Sequence, residues 1–357
     1  MKKYCTLIVA ALCVGIARDL PAFENVPVKF SAGSVQLAGT LTLPDTAGPH
    51  PALVLLAGGQ PIDRDCSYSG GRYKFFKIIA EDLARNGFAT LRFDSPGVGG
   101  STGGDWNQRT LNDRADEAAS AVKFLKQNPK INAGRIGLLG HSEGSDVAVI
   151  TAAKNPDVFC LILLSPHAKP VREDFATFRA YLIKENGSSE SKETQTEWND
   201  FYARTVFPAV TLGQTNWQEI LEQGKAIARK TYDHLPKPEQ AKFKDFDAYF
   251  QSTVDNLYLT YAPAAMPHLQ SVIDFNPLKA GAQIRTPVLM VGGAEDYFAP
   301  EIPALVAAVH KNGNTNCSTT ILPKAGHTLD NPAVSDVQPV PELLPTISHW
   351  LAQTVDE

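Results

Sequence analysis

The pentapeptide at residues 140–144 contains the residue types best suited to chemistry. It reads Gly-His-Ser-Glu-Gly, the pattern G-x-S-x-G, with Ser142 at its centre. An apolar run at residues 136–139 precedes it and a helical pattern at residues 147–153 follows, so Ser142 is expected at a sharp strand-to-helix turn. At such a turn the hydroxyl projects above the sheet, and backbone N–H groups of the helix face a developing negative charge. This context favours a nucleophile over an ordinary glycine turn.

A serine nucleophile predicts two further side chains later in the chain. Near neutral pH, the hydroxyl needs a histidine base, which a carboxylate must orient. An apolar strand pattern at residues 287–292 is followed by Glu295 and Asp296, and we favour Asp296 as the acid with Glu295 as the alternative. His327 follows the next strand and is the predicted base.

Two backbone N–H groups are expected to bind the oxyanion of the reaction intermediate. One belongs to Glu143, the residue after the nucleophile, and the other to the glycine turn after the first core strand. In that turn Gly59 is the first choice and Gln60 the alternative. The charged run at residues 63–65 predicts an ion pair that orders this loop.

The sequence gives less reason to assign a function to the other histidines. His167 follows an apolar run and is placed to line the pocket, although we favour a structural role for it. Surface positions are expected for the rest: His50, His234, His268, His310 and His349.

Strand and helix patterns alternate around these residues. Such alternation predicts βαβ units and a mostly parallel sheet covered by helices on both faces. Strands are expected at 52–57, 88–94, 135–140, 159–165, 287–292 and 317–322. Helices are expected at 75–86, 111–127, 299–311 and 341–353. A hairpin of residues 26–30 and 35–43 should form an edge of the sheet.

Between residues 169 and 279 the pattern changes. Strand patterns disappear, the charge rises, and aromatic residues lie in long helix-like segments. We interpret this stretch as a helical cap inserted into an α/β core of residues 23–168 and 280–357.

The composition excludes several classes of protein. The 357 residues are 43% hydrophobic and 20% charged, which is typical of a globular chain. The net charge of −5 includes no basic run, so nucleic acid is not an expected partner. A small uncharged or mildly polar ester is the expected substrate. No metal or organic cofactor is implied, and the sequence does not indicate an oligomeric state.

The N-terminal residues predict export from the cytoplasm. A basic pair at residues 2–3 precedes a short apolar stretch and a polar break, the pattern of a signal peptide of residues 1–17, cut as late as residue 22. The stretch is too short for stable membrane insertion, so a secreted or periplasmic protein is expected. After cleavage Cys66, Cys160 and Cys317 remain, which permits at most one disulfide, and Cys160 is expected in the core.

Together, these motifs resemble the α/β-hydrolase superfamily, and more closely its bacterial esterases and serine-aminopeptidase-like members, related to dienelactone hydrolases. The resemblance covers most of the chain outside the cap. It is carried by the serine pentapeptide and by residues 56–65, 92–101, 276–278, 286–289 and 326–327. The chain departs from the usual pattern at three places: Ala57 stands where histidine is common, Gly58-Gly59-Gln60 where Gly-Ser-Gly is common, and Pro96 where arginine is common.

The resemblance implies a function and a role for each site residue. Ser142 would be the nucleophile, His327 the base and Asp296 the acid, with Gly59 and Glu143 as oxyanion donors. The expected activity is hydrolysis of carboxylic esters through an acyl-enzyme. A peptidase using the same three residues is the alternative, for which the cap offers Glu173, Asp174, Glu197 and Asp200 as ligands for a peptide N-terminus. A noncatalytic binding protein on this scaffold is a third possibility.

Overall fold

The computed structural model describes most of the chain. It covers residues 23–105, 108–185, 191–213, 216–252, 267–273, 275–331, 333 and 337–356. The expected signal peptide, with Cys5 and Cys13, lies outside the described residues, and export stays a prediction.

An eight-stranded sheet forms the centre of the molecule. Its strands are β1 (Phe23–Ala32), β2 (Val35–Pro44), β3 (His50–Leu56), β6 (Ala89–Phe93), β7 (Ile131–His141), β8 (Leu161–Leu164), β9 (Val288–Gly293) and β10 (Cys317–Leu322). The spatial order is β1-β2-β6-β3-β7-β8-β9-β10, and the six strands from β6 to β10 run parallel. The pairings of β2 with β1 and with β6 are antiparallel. Every predicted core strand is present, with its ends shifted by a few residues.

Helices cover both faces of the sheet. On one face lie α2 (Leu111–Lys126), α3 (Glu143–Lys154) and α12 (Ile302–His310). On the other lie α1 (Phe75–Arg85) and α13 (Leu343–Asp356). Successive residues of a strand point to opposite faces, so Val54 packs in the first layer while its neighbours Leu53 and Leu55 pack in the second.

The predicted edge hairpin is longer than expected. Its two strands pair from Phe23 with Pro44 to Ala32 with Val35, so the turn consists of two residues, Gly33 and Ser34. Gly33 has a φ of +58°, which a glycine adopts without strain. A second, small hairpin of β4 (Ser67–Tyr68) and β5 (Tyr73–Lys74) was not predicted, because two-residue strands leave no readable alternation.

In its described residues, the segment between β8 and β9 consists of helices joined by turns and loops, without a strand. Its helices are α4 (Val171–Glu185), α5 (Lys192–Phe201), α6 (Phe207–Leu212), α7 (Trp217–His234), α8 (Lys237–Gln240), α9 (Phe246–Ser252), α10 (267–273) and α11 (Pro277–Gly281). Aromatic residues including Trp198, Tyr202 and Phe207 form a hydrophobic cluster within this segment. The limits predicted for the cap, 169 and 279, stay predictions, and the second falls inside α11.

Two further observations concern membrane spans and cysteines in the described residues. Within the described ranges, no helix is both long and apolar enough to cross a membrane. Cys66, Cys160 and Cys317 are free thiols. Cys160 is buried in the core, as predicted.

Candidate active site

Ser142 lies at a strained turn between β7 and α3. Its φ of 56° and ψ of −127° are unusual for a residue with a side chain, and such backbone strain costs about 1–3 kcal/mol. Glycines on either side make the turn possible. A Cβ on Gly140 would lie 2.2 Å from the carbonyl oxygen of Gly144, and one on Gly144 would lie 2.1 Å from that of Leu56. A Cβ atom at position 140 or 144 would clash with the backbone, so the turn requires glycine at both positions.

The three residues predicted for acyl transfer meet at the carboxyl ends of three strands. Ser142 follows β7, Asp296 follows β9 and His327 follows β10. Nε2 of His327 lies 3.0 Å from Oγ of Ser142, and Nδ1 lies 3.1 Å from each carboxylate oxygen of Asp296. Glu295, the alternative acid, is exposed, whereas Asp296 is 4% exposed.

The surroundings of Asp296 keep it ionised. Burial alone raises the pKa of this carboxyl, but the hydrogen bond and attraction to His327 and the bond from the backbone N–H of Phe298 outweigh it. The net pKa of Asp296 lies below its ordinary value. An ionised carboxylate accepts a hydrogen bond from Nδ1–H of His327, which leaves Nε2 free to accept a proton from Ser142.

The glycine turn after β3 lies against the nucleophile. A Cβ on Gly58 would lie 3.5 Å from Cβ of Ser142, and one on Gly59 would lie 2.6 Å from Oε2 of Glu143. Glu143 is the first residue of α3, so its backbone N–H belongs to the helix N-terminus. Gly59 and Gln60 are exposed in this turn. Gly58 therefore lies beside Ser142, and the next residue, Gly59, lies against the side chain of Glu143.

Arg64, in the charged run at residues 63–65, forms an ion pair with a residue outside that run, Asp94. The guanidinium of Arg64 donates to both carboxylate oxygens of Asp94, at 3.0 and 2.5 Å, and its backbone N–H donates to Oδ1 at 2.8 Å. Burial raises the pKa of Asp94, but these bonds and one from the N–H of Gly100 outweigh it and hold the pKa low. Asp94 is 2% exposed, so the pair is less open to water than an ordinary surface pair.

Comparisons with known proteins agree with this geometry. A family model described as "Serine aminopeptidase, S33" matches residues 69–190. The esterase EstD of Thermotoga maritima is 30% identical over 190 residues, which are 49% of this chain and 40% of that protein. This chain therefore aligns with less than half the length of that curated relative.

Two solved structures match almost the whole chain. The α/β-hydrolase GrgF from Penicillium sp. sh18 has a TM-score of 0.57 at 18% identity, covering 94% of this chain and 100% of that chain. The Pyrococcus furiosus esterase Pf2001 has a TM-score of 0.52 at 18% identity, covering 93% of this chain and 91% of that chain. The chain therefore has the α/β-hydrolase fold. Its fold is the one that the motifs predicted.

His141 is a residue of the candidate site that the sequence did not single out. It is 1% exposed, and its Nε2–H donates to the backbone carbonyl of His327 at 2.9 Å. Its Nδ1 then accepts from the hydroxyl of Tyr68 at 3.2 Å. Burial, with a smaller contribution from His327, lowers the pKa of His141 to about 3, so the ring is neutral at pH 7. A neutral imidazole thus anchors the loop of the predicted base.

His167 has the structural surroundings that we favoured. Its Nδ1 lies 3.2 Å from Oδ2 of Asp146 on α3, and its ring centroid lies 4.6 Å from that of Phe298. Burial lowers the pKa of His167, but the contacts with Asp146 outweigh this effect and raise it overall. The protein therefore has a second His–Asp contact beside the predicted triad.

Two of the other histidines were wrongly predicted as surface residues. His50 and His268 are each 5% exposed. Nε2 of His50 lies 3.1 Å from the carbonyl oxygen of Thr46, and Nδ1 of His268 lies 3.0 Å from that of Arg109. Both satisfy a backbone group that their position in the sequence does not reveal. The remaining three, His234, His310 and His349, are exposed as predicted.

The side chain of Glu143 is buried and paired, although the sequence suggested a role only for its backbone. One carboxylate oxygen accepts from Nη1 of Arg114, and the other lies 3.4 Å from Nε2 of His268. Burial raises the pKa of Glu143, but its contacts with His268 and Arg114 lower it to about 2. In the described part of the chain, no group of three or more His, Cys, Asp or Glu side chains is arranged to hold a metal ion.

Proposed function

We propose that the protein hydrolyses carboxylic esters through an acyl-enzyme on Ser142. The observation that carries this proposal is the continuous contact from Ser142 through His327 to Asp296, at 3.0 and 3.1 Å. These distances are within reach of a proton transfer. The esterase EstD, 30% identical over its aligned part, supports an ester as the substrate class.

The proposed reaction has two halves. Oγ of Ser142 attacks the ester carbonyl carbon while its proton passes to Nε2 of His327. The backbone N–H groups of Gly59 and Glu143 bind the oxyanion, and the proton on His327 then leaves with the alcohol. In the second half His327 takes a proton from water, the resulting hydroxide attacks the acyl carbon, and the acid departs as the proton returns to Ser142.

Asp296 and His141 contribute by holding the base in place. Asp296 keeps the hydrogen on Nδ1 of His327 and stabilises the imidazolium that forms when Nε2 accepts a proton. His141 fixes the backbone of the same residue through the carbonyl of His327. The two contacts restrain the ring at Nδ1 and its chain at the carbonyl oxygen.

A peptidase with the same three residues is the second candidate, since the matching family model is described as a serine aminopeptidase. The cap carboxylates that were considered for a peptide N-terminus do not favour it. Glu197 pairs with Lys230 at 2.9 Å, Asp200 lies 3.7 Å from Arg204, and Glu173 is exposed. The side chain of Asp174 lies outside the described residues.

Ser142→Ala tests the proposal. The variant should keep the thermal unfolding temperature of the parent but lose turnover of p-nitrophenyl esters and labelling by a fluorophosphonate probe. Ser120→Ala is the matched control, because Ser120 lies on α2 and its hydroxyl bonds to the carbonyl of Asp116.

Each outcome distinguishes the candidate functions. Retained ester turnover in Ser142→Ala refutes the assignment of the nucleophile. Wild-type protein that cleaves aminoacyl anilides but no ester is a peptidase. Wild-type protein that neither labels nor turns over any substrate supports the noncatalytic alternative.

A further inference from the structure

The inserted helical segment contacts the α/β core beside the proposed oxyanion hole. Helix α10 (267–273) lies over the start of α2. Oγ of Ser271 accepts from the backbone N–H of Leu111 at 3.0 Å, and Nδ1 of His268 lies 3.0 Å from the carbonyl oxygen of Arg109. A further bond, from Oγ of Ser271 to the carbonyl of His268, ties the two contacts together at 2.7 Å. The segment therefore holds His268 in a fixed position against the core.

His268 reaches the residue that follows the nucleophile. Its Nε2 lies 3.4 Å from Oε2 of Glu143, whose side chain is 9% exposed. Since Nδ1 faces a carbonyl oxygen and Nε2 faces a carboxylate oxygen, both ring nitrogens have acceptors as neighbours.

Arg114 extends this contact to the loop that forms the other side of the hole. Its Nη1 donates to Oε1 of Glu143, and its Nη2 donates to the carbonyls of Ala57 and Gly58 at 2.7 and 3.1 Å. A carbonyl held in this way fixes the peptide plane, and the N–H group of the next residue belongs to that plane. The N–H of Gly59 is thus fixed by the Arg114 contact with the Gly58 carbonyl.

The Glu143 side chain also occupies the space beneath Gly59. A Cβ on Gly59 would lie 2.6 Å from Oε2, the oxygen that His268 approaches. Moving this oxygen would therefore affect the turn directly, as well as through Arg114. One buried carboxylate connects α10, α2, the β3 turn and the N-terminus of α3.

We propose that His268 is a positioning residue for the oxyanion hole, acting through Glu143 and Arg114. It keeps the Glu143 carboxylate in the orientation that holds Arg114 against the β3 turn, so the hole is preorganised only when α10 is seated. This inference rests on the proposed function, because the two N–H groups that it fixes are those of Gly59 and Glu143.

The effect of removing His268 should appear in the chemical step. An oxyanion forms only in the transition state and the intermediate, so loss of preorganisation lowers kcat more than it raises KM. We expect His268→Ala to lower kcat about tenfold, the effect of one misplaced hydrogen bond, with KM changed less than about twofold. The affinity for a trifluoromethyl ketone, which forms a tetrahedral adduct, should fall in parallel with kcat.

Gln270→Ala is the matched control on the same helix, since the bond that it loses runs from the side-chain amide to the carbonyl of Val210 at 2.8 Å and involves neither α2 nor Glu143. This variant should keep kcat within about twofold of the parent. His268→Gln should recover most of the activity, because the glutamine amide can donate to Glu143 in place of Nε2.

Three results would overturn the inference. They are an unchanged kcat in His268→Ala, an equal loss of kcat in Gln270→Ala, and a rise in KM without a fall in kcat. Ser142→Ala is measured in the same assay. If it abolishes turnover while the His268 variants match the parent, the inference fails and the proposed function stands. If Ser142→Ala remains active, the proposed function itself has failed.

Discussion

Replacement of Asp296 by asparagine tests how the base is prepared for catalysis. Both carboxylate oxygens lie 3.1 Å from Nδ1 of His327, and Oδ1 also accepts from the N–H of Phe298. In the variant this N–H selects the amide oxygen, since it cannot bond to an NH2 group. The amide NH2 then stands 3.1 Å from Nδ1, where the second carboxylate oxygen stood. There it can donate to Nδ1 only in the tautomer whose hydrogen lies on Nε2, and asparagine, unlike the carboxylate, supports that tautomer.

The expected loss follows from this change of tautomer. With its hydrogen on Nε2, His327 cannot accept the proton of Ser142, and the negative charge that stabilises the imidazolium has also gone. A catalytic histidine held in the wrong tautomer lowers kcat about 10⁴-fold, which corresponds to about 5 kcal/mol in the activation free energy. KM for a p-nitrophenyl ester should change little, because Asp296 is buried behind the base and is not a surface for the substrate.

Steady-state kinetics and the rate of fluorophosphonate labelling measure this loss, and Glu295→Gln is the control. Glu295 is the neighbouring carboxylate and is exposed, so its variant should keep the parent kcat. If Asp296→Asn keeps more than about one tenth of the parent kcat, the tautomer argument is wrong. An equal loss in Glu295→Gln would show that charge near the loop, not the contact with Nδ1, decides the rate.

Two further predictions concern the frame of the site. Gly144→Ala should destabilise the fold by about 3 kcal/mol or more, because its Cβ would lie 2.1 Å from the Leu56 carbonyl oxygen. Gly134→Ala, whose Cβ would have its nearest neighbour at 3.6 Å, should be close to neutral in the same urea titration. In the folded protein the pKa of His141 is about 3, against 6.5 for an ordinary histidine. Between pH 3 and pH 6.5 unfolding therefore takes up a proton, and the free energy of unfolding decreases as the pH falls from 6.5 to 3. In His141→Gln this part of the pH dependence of unfolding should disappear, and an unchanged slope would show that His141 does not titrate on unfolding.

The strands and the serine turn were readable from the sequence for a physical reason. Strands buried on both faces are continuous apolar runs, and the turn needs glycines where no Cβ fits. Gly140 and Gly144 supply those glycines, and the structure shows the clashes that any other residue would meet. Because the carboxyl ends of parallel strands share one edge, the loops that carry Asp296 and His327 were also predictable.

Contacts across the fold were not readable in the same way. His141 is separated from His327 by 186 residues, and its role depends on the packing of the β10 loop against β7. His268 was predicted as a surface residue because it belongs to the cap, and only the docking of α10 on α2 buries it. Local patterns carry no information about which backbone carbonyl a distant ring nitrogen will meet.

The place of the inserted segment in the sheet explains how it can approach the site without disturbing the triad. β8 and β9 are neighbours that pair in parallel, from Leu161 with Val288 to Leu164 with Val291, so the long insertion between them leaves their register intact. Ser142, Asp296 and His327 are fixed by strands and turns of the core, and none of their mutual contacts involves the insertion. The oxyanion side is different, because Glu143 meets His268 of α10. Changes in the insertion should therefore alter preorganisation of the oxyanion hole while the proton path between Ser142 and His327 stays in place.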